Sequence, residues 1–110
     1  MNENVTVFLD KAFECLADAN ALLEKSRYTA SVSRSYYAMF HAAQAALLSE
    51  EIDAYTHTGV NVQFKTFSKI LDQWLKSDYE IGFKASPDDA KHTFEEASGF
   101  VTSIQNFLIS

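Results

Sequence analysis

The sequence contains few of the residues that interrupt helices or cross-link a chain. In 110 residues there are one proline, three glycines and one cysteine. With Cys15 alone, no disulfide can form within the chain, and a zinc site built from paired cysteines is excluded. A single cysteine fits the reducing cytoplasm. Because Cys15 lies in an apolar run with Phe13 and Leu16, we expect it to be a small buried hydrophobe.

Signals for membrane insertion or export are also missing. Residues 28–49 carry Arg34 as their one charge, but they include four serines, a glutamine and a histidine. We interpret them as a buried helix of a soluble bundle. The first residues include Glu3 and Asp10 and lack the basic and apolar regions of a signal peptide. We therefore expect a cytoplasmic protein with no membrane segment.

Positive charge is scarce, and the formal net charge is −6. An acidic balance disfavours tight, non-specific binding to long nucleic acids, because that affinity is mostly cationic. It leaves room for a small local anion site. Residues 25–49 contain Lys25, Arg27 and Arg34 and no acidic residue, so local positive charge is expected there.

We expect residues 1–110 to form one domain. The dominant pattern along this domain is the spacing of apolar residues that is typical of helices. Apolar residues at helical spacing predict helices at about 4–25, 28–49 and 60–75. A fourth helix is predicted from Pro87 to about Leu108, with Ser86 as its cap. Four helices with short links predict an all-α, up-and-down four-helix bundle, with five helices as the alternative if a short extra one is present.

The same periodicity predicts which side chains face the core. The predicted core positions of the first, second and fourth helices are Val5, Leu9, Ala12, Leu16, Ala19 and Leu23; Val32, Tyr36, Phe40, Ala43 and Leu47; and Phe94, Ala97, Val101, Ile104 and Leu108. In the third helix, Trp74 and the phenylalanines are interpreted as core residues and not as a platform for stacking bases.

The second predicted helix carries one arginine and one histidine on a shared face. Arg34 and His41 are seven residues apart, about two helical turns. Their face lies roughly opposite the predicted core stripe and is surrounded by Ala30, Tyr37, Ala38, Ala45 and Leu48. It lacks the lysine and glutamate residues that a solvent-facing surface would carry. A helix that is apolar all round is normally covered all round. We therefore expect this face to meet a ligand or another chain, most simply in a two-fold homodimer.

The chemistry of this pair suits a phosphodiester. An arginine can hold a phosphate with two hydrogen bonds, and a histidine can take or give a proton near neutral pH. Arg34 would bind the phosphate, and His41 would act on a ribose 2′-hydroxyl or on the leaving oxygen. Tyr37 could orient the imidazole or contact phosphate. The alternative is structural: Arg34 could pair with an acid on the first or fourth helix, and His41 could be a satisfied core histidine.

Residues 33–43, which read SRSYYAMFHAA, resemble the characteristic helix of the HEPN superfamily, and in particular that of its small stand-alone prokaryotic members. Residues 56–60, THTGV, resemble the segment that begins their third helix. Asp78 and Tyr79 resemble the stretch before their last helix. Residues 33–43 are the specific part of this resemblance.

This resemblance implies a metal-independent ribonuclease that works as a dimer, with Arg34 and His41 as the Arg-x6-His motif and no cofactor. It implies a toxin paired with a minimal nucleotidyltransferase antitoxin, or a non-catalytic module that binds nucleotide, RNA or a partner protein. The predicted binding residues are Tyr37, Arg27, Ser33 and His57.

Two departures from the family pattern stand out. The region between the third and fourth helices looks short. His41 is followed by Ala42 and Ala43, so the His-x-Tyr sequence that some partner nucleotidyltransferases modify is absent. Outside the motif, His57 is interpreted as part of a structural helix cap as well as a binding candidate, and His92 as a residue of a solvated helix face.

Overall fold

The computed structural model describes residues 3–49 and 84–109, which form three helices: α1 (Glu3–Glu24), α2 (Tyr28–Leu48) and α3 (Pro87–Ile109). These are the first, second and fourth predicted helices, and their predicted bounds are confirmed to within one residue. The described part is all helical, as expected. The third predicted helix lies outside the described residues, as do His57, Asp78 and Tyr79.

A tight turn joins α1 to α2. The amide of Arg27 donates to the carbonyl of Leu22 at 2.9 Å, and the amide of Ser26 donates to the carbonyl of Leu23 at 3.1 Å. These two bonds form a Schellman motif, which satisfies the last carbonyls of α1. Ser26 has a φ of 60°, the left-handed conformation that this motif requires. Because the turn is so short, α1 and α2 form an antiparallel hairpin.

Side-chain caps define the start of α3. The amide of Asp89 donates to Ser86 Oγ at 3.0 Å, and the amide of Ser86 donates to Asp89 Oδ2 at 3.3 Å. This reciprocal pair is a capping box, with Asp89 in the position that glutamate usually holds. The predicted cap at Ser86 is confirmed. The amide of Ala85 also donates to Thr29 Oγ1 at 3.0 Å, so α3 begins beside the start of α2.

Helix α2 is central in the described part, since it packs along both α1 and α3. Because α2 and α3 begin side by side, they run in the same direction, which agrees with the predicted up-and-down order for the second and fourth helices. The most deeply buried large side chains are Phe100, Met39, Ile104, Val5 and Val101. None of the three described helices is long and apolar enough to cross a membrane.

The predicted core is confirmed for most positions and wrong for two of them. Phe40 is 40% exposed and Leu47 is 64% exposed. The buried surface of α2 instead centres on small residues, which are Ser31, Ser35, Ala38, Ala42, Ala45 and Ala46. Small side chains allow α1 to approach α2 closely, so the helix turns its alanines inward and Phe40 and Leu47 outward. The prediction assumed that the largest apolar side chains would be the buried ones.

Candidate functional site

The guanidinium of Arg34 reaches from α2 to α1. Its Nη2 atom donates to Cys15 Sγ at 3.3 Å and lies 3.7 Å from Asp18 Oδ2. Its Cζ atom lies 5.4 Å from the centroid of the Tyr37 ring. The side chains of Arg34 and Asp18 remain 40% and 54% exposed, so this is an ion pair in contact with solvent. Such pairs contribute little to stability, and the guanidinium is still accessible to an anion.

Cys15 is buried, as predicted, but it also has a polar role. Burial raises the pKa of its thiol; the nearby Arg34 opposes that rise, and the charges of Asp18 and Glu14 add to it. The neutral thiol therefore persists at physiological pH, and its sulfur accepts the hydrogen bond from Arg34. Cys15 is therefore more than the small buried hydrophobe expected from the sequence.

The imidazole of His41 is surrounded by three aromatic rings. Its centroid lies 6.1 Å from that of Phe8 on α1 and 6.5 Å from that of Tyr37, with interplanar angles of 28° and 29°. The Phe40 ring meets it edge-on at 5.9 Å and 65°. On the same helix, Gln44 Oε1 lies 3.2 Å from His41 Nδ1. The ring is half-buried, so a substrate can still reach it.

Tyr37 links the two candidate catalytic residues. Its ring stacks on His41 and lies under the guanidinium of Arg34. Arg34 and His41 are therefore arranged along one edge of α2, about 10 Å apart along the helix axis, with Tyr37 between them. Tyr37 is 36% exposed, and the orienting role for this residue stays a prediction.

The predicted position of this face needs correction. From the sequence, Arg34 and His41 are expected opposite the core, on a face that meets a ligand or another chain. Instead, α1 covers one side of it: Ala38 and Ala45 have no exposed surface, and Phe8, Cys15 and Asp18 contact the pair. The apolar residues of α2 that stay exposed are Tyr37, Phe40, Leu47 and Leu48, which we name the exposed α2 face.

The remaining predicted site residues are less closely grouped. Arg27 is exposed and precedes α2 directly, two turns before Arg34. Ser33 is half-buried and, as the neighbour of Arg34 on a helix, lies about 100° around its axis. His57 lies outside the described residues. Within residues 3–49 and 84–109, no group of three His, Cys, Asp or Glu side chains could hold a metal ion.

His92 lies apart from this site, on α3. It is 72% exposed and pairs with Glu96 one turn later. This agrees with its interpretation as part of a solvated helix face.

Phe8, Asp18 and Gln44 were missing from the predicted site. Gln44 follows His41 by three residues and could have been found from helical spacing. Phe8 and Asp18 can be assigned to the site only when the register between α1 and α2 is known. The numbers of the paired residues add up to 49 for Cys15 and Arg34, 49 for Phe8 and His41, and 50 for Ser31 and Ala19. These sums centre the hairpin near residue 25, beside the three residues that separate α1 from α2.

Comparison with known proteins identifies the family. The family model of the HEPN domain matches residues 5–73, which include most of α1 and all of α2, with Arg34 and His41. A "UPF0332 protein" of Archaeoglobus fulgidus is 32% identical over 87% of this chain and 88% of its own length. A Methanocaldococcus jannaschii protein named "Putative toxin MJ0605" is 29% identical over 98% of this chain and 86% of its own length. A "UPF0332 protein" of Thermotoga maritima is 26% identical over 89% and 86%. The chain therefore belongs to the HEPN domain family.

Proposed function

We propose that this protein is a metal-independent endoribonuclease with a toxin-like role, in which Arg34 and His41 carry the chemistry. The observation that carries the proposal is the placement of these side chains along one edge of α2, both in contact with Tyr37. One is a permanent cation that remains 40% exposed, and the other is a group that can exchange protons. The relatives named as toxins support the toxin-like role.

The proposed reaction is an internal transfer at a ribose phosphate. The neutral imidazole of His41 removes the proton from a 2′-hydroxyl, and that oxygen attacks the adjacent phosphorus. The bond from phosphorus to the 5′-oxygen breaks, and the leaving oxygen takes a proton from an imidazolium. The products are a 2′,3′-cyclic phosphate and a 5′-hydroxyl. Arg34 binds the non-bridging oxygens and stabilises the negative charge that develops on them.

A homodimer would complete the site. Two copies related by a two-fold axis would bring two Arg34–His41 pairs together, so that one imidazole serves as base and the other as acid. The exposed α2 face, which borders both residues, supplies the apolar surface for this contact. Sedimentation at several concentrations tests it. Leu47→Glu should dissociate the dimer, whereas a wild-type protein that stays monomeric at all concentrations would contradict it.

The cleavage test uses two histidines of the same chain. RNA is incubated with protein in excess chelator, and the products are analysed for 2′,3′-cyclic phosphate ends. Wild type should cleave, and His41→Ala and Arg34→Ala should each reduce the rate by at least about 10²-fold, the lower range for loss of general acid–base catalysis. His92→Ala is the matched control, because His92 is an exposed histidine on α3. Equal cleavage by wild type and both site variants would refute the proposal.

A second candidate is a non-catalytic module that binds RNA, a nucleotide or a partner protein. The contact between Asp18 and Arg34 favours it, because a carboxylate beside the guanidinium offsets the positive charge that would stabilise a transition state. In that case no variant cleaves, but wild type binds a mononucleotide and Arg34→Ala does not.

The toxin-like role has a separate test in cells. Expression of wild type should arrest growth, and expression of His41→Ala should not. Co-expression of a minimal nucleotidyltransferase, the proposed antitoxin, should relieve the arrest. Growth that continues normally when wild type accumulates would contradict the toxin-like role.

A further inference from the structure

Gln44 has a role in the site that follows from its contact with His41. We infer that Gln44 is a positioning residue that selects the tautomer of the His41 imidazole, holding the proton on Nδ1 and leaving the lone pair on Nε2. The catalytic consequence of this inference rests on the proposed function; the tautomer itself does not. Gln44 need not touch RNA to have this effect.

The hydrogen bond between Gln44 and His41 determines which ring nitrogen carries the proton. Gln44 Oε1 lies 3.2 Å from His41 Nδ1, within the same helix and one turn further along. An amide oxygen can only accept a hydrogen bond. In this orientation of the Gln44 amide, Nδ1 donates the hydrogen bond and carries the proton, and the other ring nitrogen of the neutral imidazole is then the base. In free histidine in water the proton prefers Nε2, so the protein has to reverse that preference.

The aromatic rings around His41 limit the rotation of its imidazole. Phe8 and Tyr37 stack on the imidazole, and the Phe40 edge meets it. A half-turn of the ring would replace Nδ1 by a carbon atom opposite Gln44 Oε1, and these neighbours restrict such a turn. The amide therefore acts on an imidazole whose orientation is already limited, and one hydrogen bond is enough to determine the tautomer.

His41 Nε2 is the ring nitrogen that a substrate can reach. This atom is at the end of the ring away from the backbone, and no residue in 3–49 or 84–109 hydrogen-bonds to it. A lone pair at Nε2 can accept the proton of a 2′-hydroxyl. A lone pair at Nδ1 would face Gln44 and could not. The tautomer set by Gln44 thus determines whether His41 can serve as a base.

The test reads the tautomer directly. Long-range proton–nitrogen NMR at alkaline pH distinguishes protonated from unprotonated ring nitrogens in wild type, Gln44→Leu and Gln44→Glu. Wild type should show the Nδ1–H form for His41, and Gln44→Leu should shift it toward Nε2–H. Gln44→Glu should keep Nδ1–H, because a carboxylate oxygen also accepts a hydrogen bond. His92 provides an internal reference that should stay the same in all three proteins.

The kinetic expectation follows from the same contact. Gln44→Leu should lower kcat about three- to ten-fold, the worth of about one hydrogen bond, with KM for RNA changed less than about two-fold because the side chain does not bind substrate. Gln44→Glu should restore most of kcat.

Each outcome decides one question. A wild-type His41 in the Nε2–H form would overturn the inference, as would an unchanged tautomer in Gln44→Leu. If the tautomer shifts as expected while no protein cleaves RNA, the inference holds and the ribonuclease proposal fails.

Discussion

The two edges of α2 face different kinds of neighbours. Toward α1, the helix presents small buried residues together with Arg34 and His41, which contact polar and aromatic side chains at the rim of the interface. Toward α3, it meets the most deeply buried large residues of the described part, including Phe100 and Ile104. One helix therefore serves two purposes: its α3 side packs against large buried side chains, and its α1 side both packs and presents the candidate site.

Two adjacent tyrosines show the same contrast. Tyr36 is 5% exposed, whereas Tyr37 is 36% exposed. Burial, with the charges of Glu96 and Asp89 on α3, raises the pKa of Tyr36 to about 12. Tyr37 instead contacts Arg34 and His41. A shift of about 100° around the helix axis moves a tyrosine from the core to the candidate site.

The largest effect is expected from matched phenylalanine substitutions. Phe100 is fully buried and Phe40 is 40% exposed. Phe100→Ala should lower the free energy of unfolding by about 3–5 kcal/mol, because it leaves a cavity in the core. Phe40→Ala should lower it by less than about 1 kcal/mol, as exposed substitutions do. Urea denaturation measures both.

The Phe40 result also depends on the oligomer. If a second copy covers the exposed α2 face, the loss caused by Phe40→Ala will grow with protein concentration, since association stabilises the folded state. Equal losses for the two substitutions at low concentration would contradict the contrast between the buried α3 side and the exposed α2 face.

The next largest effect is a loss of stability at high pH that depends on Tyr36. An unfolded tyrosine loses its proton near pH 10, and folded Tyr36 loses it near pH 12. Between these values the folded state binds more protons, so raising the pH favours unfolding. The contribution of Tyr36 is complete below pH 10 and is lost by about pH 12. It should amount to about 2–3 kcal/mol, since each pKa unit corresponds to about 1.4 kcal/mol.

Urea denaturation at pH 9, 10.5 and 11.5 measures this loss in wild type and Tyr36→Phe. The phenylalanine variant should lose less stability over that range by the amount that Tyr36 contributes. Glu96→Gln should give an intermediate result, because it removes one of the charges that raise the pKa. Parallel curves for wild type and Tyr36→Phe would show that the hydroxyl is not shielded on the α3 side.

Two serines of α2 provide a smaller effect and a direct comparison. Ser31 and Ser35 are both fully buried. Ser31 Oγ donates to the carbonyl of Ala19 on α1 at 2.8 Å, whereas Ser35 Oγ has no hydrogen-bond partner in the described part of the chain. Ser31→Ala should lower the free energy of unfolding by about 1–2 kcal/mol. Ser35→Ala should leave it unchanged or raise it slightly, because a hydroxyl without a partner is removed from the core. A larger loss for Ser35→Ala than for Ser31→Ala would reverse this assignment.

The three described helices could be predicted from the sequence because their ends are determined by residues nearby in the chain. Ser86, Pro87 and Asp89 mark the start of α3 by cap chemistry, and the apolar spacing of α1 is regular. The rotation of α2 could not be predicted in the same way. Its residues are apolar on almost every side, so periodicity gives a weak direction, and the close approach of α1 to the alanines decides which side is buried.

The site was predicted in part for a related reason. Arg34, His41 and Tyr37 belong to one helix, and spacing alone places them together. Cys15, Asp18 and Phe8 join the site only through the register of the hairpin, which is a property of two helices. The structural alternative for Arg34, pairing with an acid on the first helix, is also present in the contact with Asp18. Because that pair is exposed, it does not exclude anion binding.

The smallest expected effect concerns that pair. Asp18→Asn removes the carboxylate that lies 3.7 Å from Arg34 Nη2. The affinity of this variant for inorganic phosphate or a short RNA should be about two- to five-fold higher than that of wild type, the range for an exposed ion pair. The matched control is Glu95→Gln, which removes one negative charge from an exposed position on α3 and should raise the affinity less. Equal gains for both variants would mean that net charge alone is responsible.

A second measurement locates the Asp18→Asn effect at the α1 edge. Burial is the main cause that raises the pKa of the Cys15 thiol, Arg34 lowers that pKa, and Asp18 raises it. Removing the Asp18 charge should therefore lower the thiol pKa, which ultraviolet titration of the thiolate can follow. Glu95→Gln should leave the thiol pKa unchanged. A tighter hold on phosphate together with a lower thiol pKa would show that Arg34 has been released from Asp18 without leaving Cys15. A lower thiol pKa with no gain in affinity would mean that the anion does not bind at Arg34, and the contrast between the two edges of α2 would then concern packing alone.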